Sequence, residues 1–122
     1  METMKTFTNE GPSRNTIRRL VGMGRRSGAI RIGVRNSVDS IHRKQCCLLI
    51  VARDASPRTR RILEREAAEI PTVMVDSEIE LGTWLGMQAV AAASVVNHNL
   101  ASGILRALKI AEEDGGGVIS KS

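Results

Sequence analysis

The sequence predicts an α/β protein: a three-layer α-β-α sandwich on a small four-stranded, mostly parallel (mixed) sheet. Three observations predict it. Leu48-Leu49-Ile50-Val51-Ala52 is a continuous apolar run, the pattern of a strand covered on both faces. Apolar stretches with helical spacing alternate with short apolar strands, in the order α-β-α-β-α-β-α-β-α with short connections. The composition is 42% hydrophobic with only Phe7 and Trp84 aromatic, so the core must be aliphatic. At 122 residues the chain holds one domain and has no room for a second core.

Each element has a local reason. Residues 1–12 are polar and irregular and read as a flexible arm. From Ser13 to about residue 27, Ile17, Leu20, Val21 and Gly24 recur at i, i+3, i+4 and i+7, one buried helix face. Arg14, Arg18, Arg19, Arg25 and Arg26 take its exposed sides, and Gly28 stops it. Ala29-Ile30-Arg31-Ile32 is a short strand, and Gly33 opens a helix over residues 34–44 with Val34, Val38 and Ile41 as its apolar stripe. The Leu48 to Ala52 strand breaks at Arg53-Asp54. The chain restarts at Ser56-Pro57, a hydroxyl cap followed by a residue suited to the first helical position. This third helix reaches about Ile70, turning Ile62, Leu63, Ala67 and Ile70 inward. Pro71 ends it, and Thr72-Val73-Met74-Val75-Asp76 is a strand. Ser77-Glu78-Ile79-Glu80 has the capping-box pattern and starts a short helix ending at Gly86. Residues 87–89 are a loop, 90–96 the last strand, and 97–99 lead into a final helix to about Glu112 that buries Leu100, Ile104, Leu105 and Leu108. The domain therefore spans residues 13–113, and the glycine-rich residues 114–122 read as a disordered tail.

The net charge of +5 is unevenly spread: residues 1–61 hold 14 Lys/Arg against 4 Asp/Glu, and residues 62–122 hold 4 against 9. Such asymmetry points to a polyanionic partner or to a solvated basic surface. Cys46 and Cys47 are adjacent in an extended segment, so their side chains take opposite faces and form neither a disulfide nor a shared metal site. They read as small buried hydrophobes in a reducing cytoplasm. No apolar run has the length of a signal peptide core or a membrane span.

Nothing in the chain asks for catalysis, a cofactor or a metal. His42 and His98 lie more than fifty residues apart, and neither has a nucleophile or ligand partner at a recognisable spacing. No GxSxG elbow, P-loop or GxGxxG follows a strand. Asp54 is the best-placed acid, and its expected role is to hydrogen-bond the turn onto the Ser56-Pro57 helix.

Several separate stretches share one resemblance. Leu20-Val21-Gly22-Met23-Gly24-Arg25-Arg26-Ser27-Gly28 resembles a Leu-x-Gly-x-Ala-Arg-Arg-Ala-Gly opening. The stretch 33–57 ends in Ala52-Arg53-Asp54-Ala55-Ser56-Pro57, followed by Ile70-Pro71-Thr72-Val73, Leu81-Gly82 and Leu85-Gly86 at matching positions. Over residues 16–109 the chain is similar to the large-subunit ribosomal proteins L-seven-Ae and L-thirty-e and their bacterial kink-turn-binding relatives. The resemblance implies the same α-β-α sandwich and non-catalytic binding of structured RNA, with rRNA or the ribosome as partner and no membrane or small-molecule substrate. It implies two contact places. One is the start of the second helix, with Gly33, Val34, Arg35, Asn36, Asp39, Ser40 and Arg43; the other is the loop Met87, Gln88, Ala89, Val90 and Ala91. Arg25, Arg26 and Arg31 are the expected phosphate contacts. Where archaeal members read Gly-Thr-Asn-Glu-Val-Thr-Lys, this chain reads Gly33-Val34-Arg35-Asn36-Ser37-Val38-Asp39, so an acid replaces a lysine. General RNA binding tolerates that change more easily than kink-turn specificity does. A protein-interaction module of the same fold is the alternative.

Overall fold

The computed structural model describes residues 4–7, 12–113 and 119–121. The chain runs β1 (Met4–Phe7), α1 (Pro12–Arg26), β2 (Ile30–Ile32), α2 (Val34–His42), β3 (Leu48–Ala52), α3 (Pro57–Glu66), β4 (Thr72–Val75), α4 (Glu78–Leu85), β5 (Ala92–Val95), α5 (His98–Glu113) and β6 (Ile119–Lys121). The four strands expected from the sequence lie side by side as β2-β5-β3-β4. Three of these run in one direction, and β5 is inserted antiparallel between β2 and β3.

Side-chain alternation along these strands divides the core in two. Leu48 and Ile50 of β3, Val73 and Val75 of β4, and Ala93 and Val95 of β5 face a cluster with Ile17, Val21, Leu81, Trp84, Ile104 and Leu108 from α1, α4 and α5. Leu49, Val51, Met74 and Ala92 face the other way, onto Leu63 and Ala67 of the α3 side, with Val34, Val38 and Ile41 of α2 at the margin. All five residues of β3 are buried, as a strand covered on both faces requires. Cys46 and Cys47 follow the alternation, one against each cluster, as half-buried free thiols.

The structure extends the expected four-stranded sheet and corrects several element ends. The sheet has six strands among the described residues: β1 pairs parallel with β4, and β6 pairs antiparallel with β1. Met4–Phe7 and Ile119–Lys121 were expected within an arm and a tail. They are strands of four and three residues, too short to carry a readable pattern, and they extend the sheet through backbone pairing at the β4 edge. The remainder of both expected segments lies outside the described residues. Helix α2 stops at His42, and Lys44 turns the chain with φ 60°. Helix α3 stops at Glu66, and a turn closed by Ile70 N–H to Ala67 O leads to β4. In α2 the buried residues are Ser37 and Ser40, with the larger apolar side chains half-buried beside them. Small side chains let the helix sit close to β5, where the Ser40 and Ser94 hydroxyls meet at 2.6 Å. Asp54 does not serve its own helix. Its Oδ1 accepts from Glu78 N–H at 2.9 Å, tying the end of β3 to the start of α4.

Caps behave as their residue types dictate. Ser56 Oγ accepts from Thr59 N–H at 3.1 Å with Pro57 in the first turn, and Ser77 Oγ accepts from Glu80 N–H at 3.0 Å.

Candidate nucleic-acid interface

The carboxyl ends of β2 and β3 and the amino end of β5 meet at one edge of the sheet, and the candidate site is built there. After Ile32 the chain must leave β2 and enter α2 within one residue. Gly33 makes that turn at φ 103°, ψ 160°, a conformation open to glycine and strained for any residue with a Cβ. No side chain caps α2, so its first-turn N–H groups point outward as donors with a partial positive charge.

The loop before β5 is fastened to the same place. Gly86 ends α4 in the left-handed conformation, and residues 87–91 fold back along that helix. Met87 N–H donates to Gly82 O at 2.7 Å, and Val90 N–H to Glu78 O at 2.9 Å. A Cβ on Gly82 would stand 2.8 Å from the Ala89 nitrogen and the Gln88 carbonyl, so only glycine lets the loop lie against the helix. Ala91 O accepts from Ala52 N–H of β3 at 2.9 Å, and Ala92 O accepts from Gly33 N–H at 2.8 Å. The helix start and the loop, separated by more than fifty residues in sequence, are thereby one hydrogen bond apart.

The expected contact residues sort by exposure. Arg35 is exposed with no ion pair among the described residues. Asn36 is exposed, and its Nδ2 donates to Ile32 O at 2.8 Å, fixing the amide and leaving its oxygen to accept. Asp39 and Arg43 form an exposed i,i+4 pair at 3.0 Å, so the acid that replaces a lysine is matched within its own helix. Ser40 is buried, its hydroxyl between Ser37 O and Ser94 Oγ, and Val90 is in the core; both position the surface and neither reaches a ligand. Met87, Gln88 and Ala89 are exposed, Met87 at 45%.

The three arginines expected to hold phosphate do not converge. Arg31 Nη1 folds back onto Gly28 O at 3.0 Å, at the opposite end of β2 from Gly33. Arg25 lies at the foot of the loop, its guanidinium 3.4 Å from where a Gly86 Cβ would stand. Arg26 lies in a groove between α1 and α4. The sequence reasoning missed Ile79, which is 69% exposed in the first turn of α4, the turn to which the loop is bonded at Glu78. Its signal was available: in the helix Glu78–Leu85 the buried residues are Leu81, Gly82, Trp84 and Leu85, and Ile79 is the large apolar residue off that face. Burial pushes the Cys46 thiol up, which keeps it protonated and a poor nucleophile. No helix among the described residues is long and apolar enough to cross a membrane.

A search of curated protein sequences returns no match. Among solved structures, a protein of unknown function from Bacillus halodurans superposes with a TM-score of 0.72 at 20% identity, over 76% of this chain and 96% of that one. A Giardia lamblia 15.5kD RNA binding protein superposes with a TM-score of 0.65 at 24% identity, over 83% and 88%. Both share the fold. The family model described as "Ribosomal protein L7Ae/L30e/S12e/Gadd45 family" matches residues 15–106, which hold every element from β2 to β5 and most of α1 and α5; the chain belongs to that family.

Proposed function

We propose that this protein is a non-catalytic, cytoplasmic binder of structured RNA, ribosomal or kink-turn-like. Its contact surface is the start of α2 together with the loop at residues 87–91. The observation that carries the reading is the Gly33 N–H to Ala92 O bond, which makes one continuous surface from two unlike parts. One part offers donors to phosphate and base edges: the first-turn N–H groups, Arg35 and Asn36. The other offers exposed apolar side chains, Met87 and Ile79, on which unstacked bases pack. Structured RNA with extruded bases presents both chemistries at once, whereas a plain duplex presents only phosphate. The family membership and the Giardia neighbour described as RNA binding support the same reading. The alternative, a protein-interaction module, is favoured by Asp39 and by the acidic carboxyl-terminal half; of these, Asp39 is matched by Arg43 within its own helix.

The test is a mobility-shift titration at physiological salt with a kink-turn hairpin, a plain RNA duplex and a single strand. The hairpin is expected to bind tightest. Arg35→Ala and Arg43→Ala should each weaken binding and lower the salt slope by about 1 for every phosphate no longer neutralised. Absence of binding to all three RNAs refutes the proposal. Parent-like binding by both single variants and the double variant shows that the surface is misplaced.

A further inference from the structure

Away from the α2 surface, α1 and α4 enclose a groove of about 410 Å³ that the reading above does not use. Its α1 wall is formed by Asn15, Arg18, Arg19, Gly22 and Arg26, at spacings that keep them on one stripe of the helix. Thr83 and Trp84 of α4 form the facing wall. Gly22 leaves the middle of the stripe without a side chain, and Arg26 lays its guanidinium over that position, 3.6 Å from where a Cβ would be. None of the three arginines has a carboxylate partner among the described residues, while elsewhere on the surface Arg43 and Arg65 are paired. The α4 carboxylate nearest in sequence to the facing wall is Glu80, one turn before Trp84.

We propose that this groove is a second RNA contact, in which Arg18, Arg19 and Arg26 hold the phosphodiester backbone of the RNA whose bases pack at the α2 start and the loop. The inference rests on the RNA-binding reading and extends it to a new surface. Three clustered guanidiniums repel one another unless an anion sits between them, and their forked donors match phosphate oxygens. Arg18 and Arg26 are eight residues apart, about 12 Å along a helix axis. That span reaches past a single small anion and suits successive phosphates of one strand. Two residues after Trp84 on the groove wall comes Gly86, where the loop begins, and the Arg25 guanidinium lies beside that glycine.

The experiment compares the parent, the triple variant Arg18→Ala/Arg19→Ala/Arg26→Ala, the matching triple lysine variant and Arg35→Ala. Each is titrated with a fluorescein-labelled kink-turn hairpin over a series of salt concentrations, with polyglutamate as a competitor. Circular dichroism and thermal melting establish that each variant is folded; the substituted side chains stand in an open groove, so parent-like melting is expected. The alanine triple should lower the slope of log Kd against log salt by about two to three, and the lysine triple should restore most of it. A slope unchanged in the alanine triple, with Arg35→Ala weakened, overturns the groove and leaves the first surface standing. Polyglutamate binding that the alanine triple abolishes, without any change in RNA binding, assigns the groove to an acidic peptide and also overturns it. A parent that binds no RNA removes both proposals together.

Discussion

At Gly33 and Gly82 the absence of one carbon atom decides whether the surface exists. Gly33 is held at φ 103°, ψ 160° with open space around it, so the cost of Gly33→Ala is conformational, about 1–3 kcal/mol. Gly82 has an ordinary helical backbone but meets the loop at 2.8 Å, and Gly82→Ala should cost about 1–3 kcal/mol through displacement of residues 88–89. Urea denaturation checks both; Gly82→Ala is also expected to lose RNA affinity, because the loop moves. Asp39→Asn releases Arg43 from its 3.0 Å pair. Binding titration of that variant should show about two- to fivefold tighter RNA, consistent with an exposed pair worth under about 1 kcal/mol. A weaker complex would mean that Asp39 contacts the ligand directly. These effects were unevenly legible in the sequence. Gly33 stood out as a glycine between a strand and a helix. The burial of Ser40 and Val90 did not, because polarity points the first outward and the second was read both as the start of the last strand and as a contact of the loop.

At the scale of elements, α2 is fixed on two sides. Ser40 meets Ser94 of β5, and His42 Nε2 meets Glu66 Oε1 of α3 at 2.7 Å. The hydrogen bond from His42, with lesser contributions from the charges of His42 and Arg65, holds the Glu66 carboxyl below its ordinary value of 4.5. The sign of the pH dependence follows: the stabilisation is fully present above that ordinary value and is lost as pH falls through the lowered one. Acid unfolding followed by circular dichroism should therefore show a component below about pH 4.5 that Glu66→Gln lacks. Identical acid profiles would remove the linkage. The helices and central strands were legible because period and capping agree: β3 is predicted over the residues it occupies, and Ser56 and Ser77 cap as read. Element ends were less so. The segment after Glu66, Ala67-Ala68-Glu69-Ile70, keeps helical spacing, but Ala67 ends the helix and the chain turns through the Ile70 N–H to Ala67 O bond to reach Pro71. Asp54 shows the limit of local reasoning, since its partner is 24 residues away.

For the molecule as a whole, both core clusters among the described side chains draw on elements from α1 to α5, and β1 and β6 pair in line at the β4 edge. We propose that residues 13–113 are the autonomous unit. A chain trimmed to them should unfold in one transition with the parent's RNA affinity, as calorimetry and titration would show. Loss of cooperative unfolding would make the edge strands part of the fold rather than an extension of it. The sheet was expected to be mostly parallel and mixed, but which strand runs antiparallel was not legible, because strand order is a tertiary property that no local pattern encodes. Its consequence is mechanical. Since β5 lies inside the sheet, the amide of Gly33 is clamped to a strand with neighbours on both sides. That amide should exchange with deuterium only as fast as the whole domain opens. A bound RNA then meets a rigid die, and the bending falls to the RNA: sequences already shaped for the surface should associate fastest.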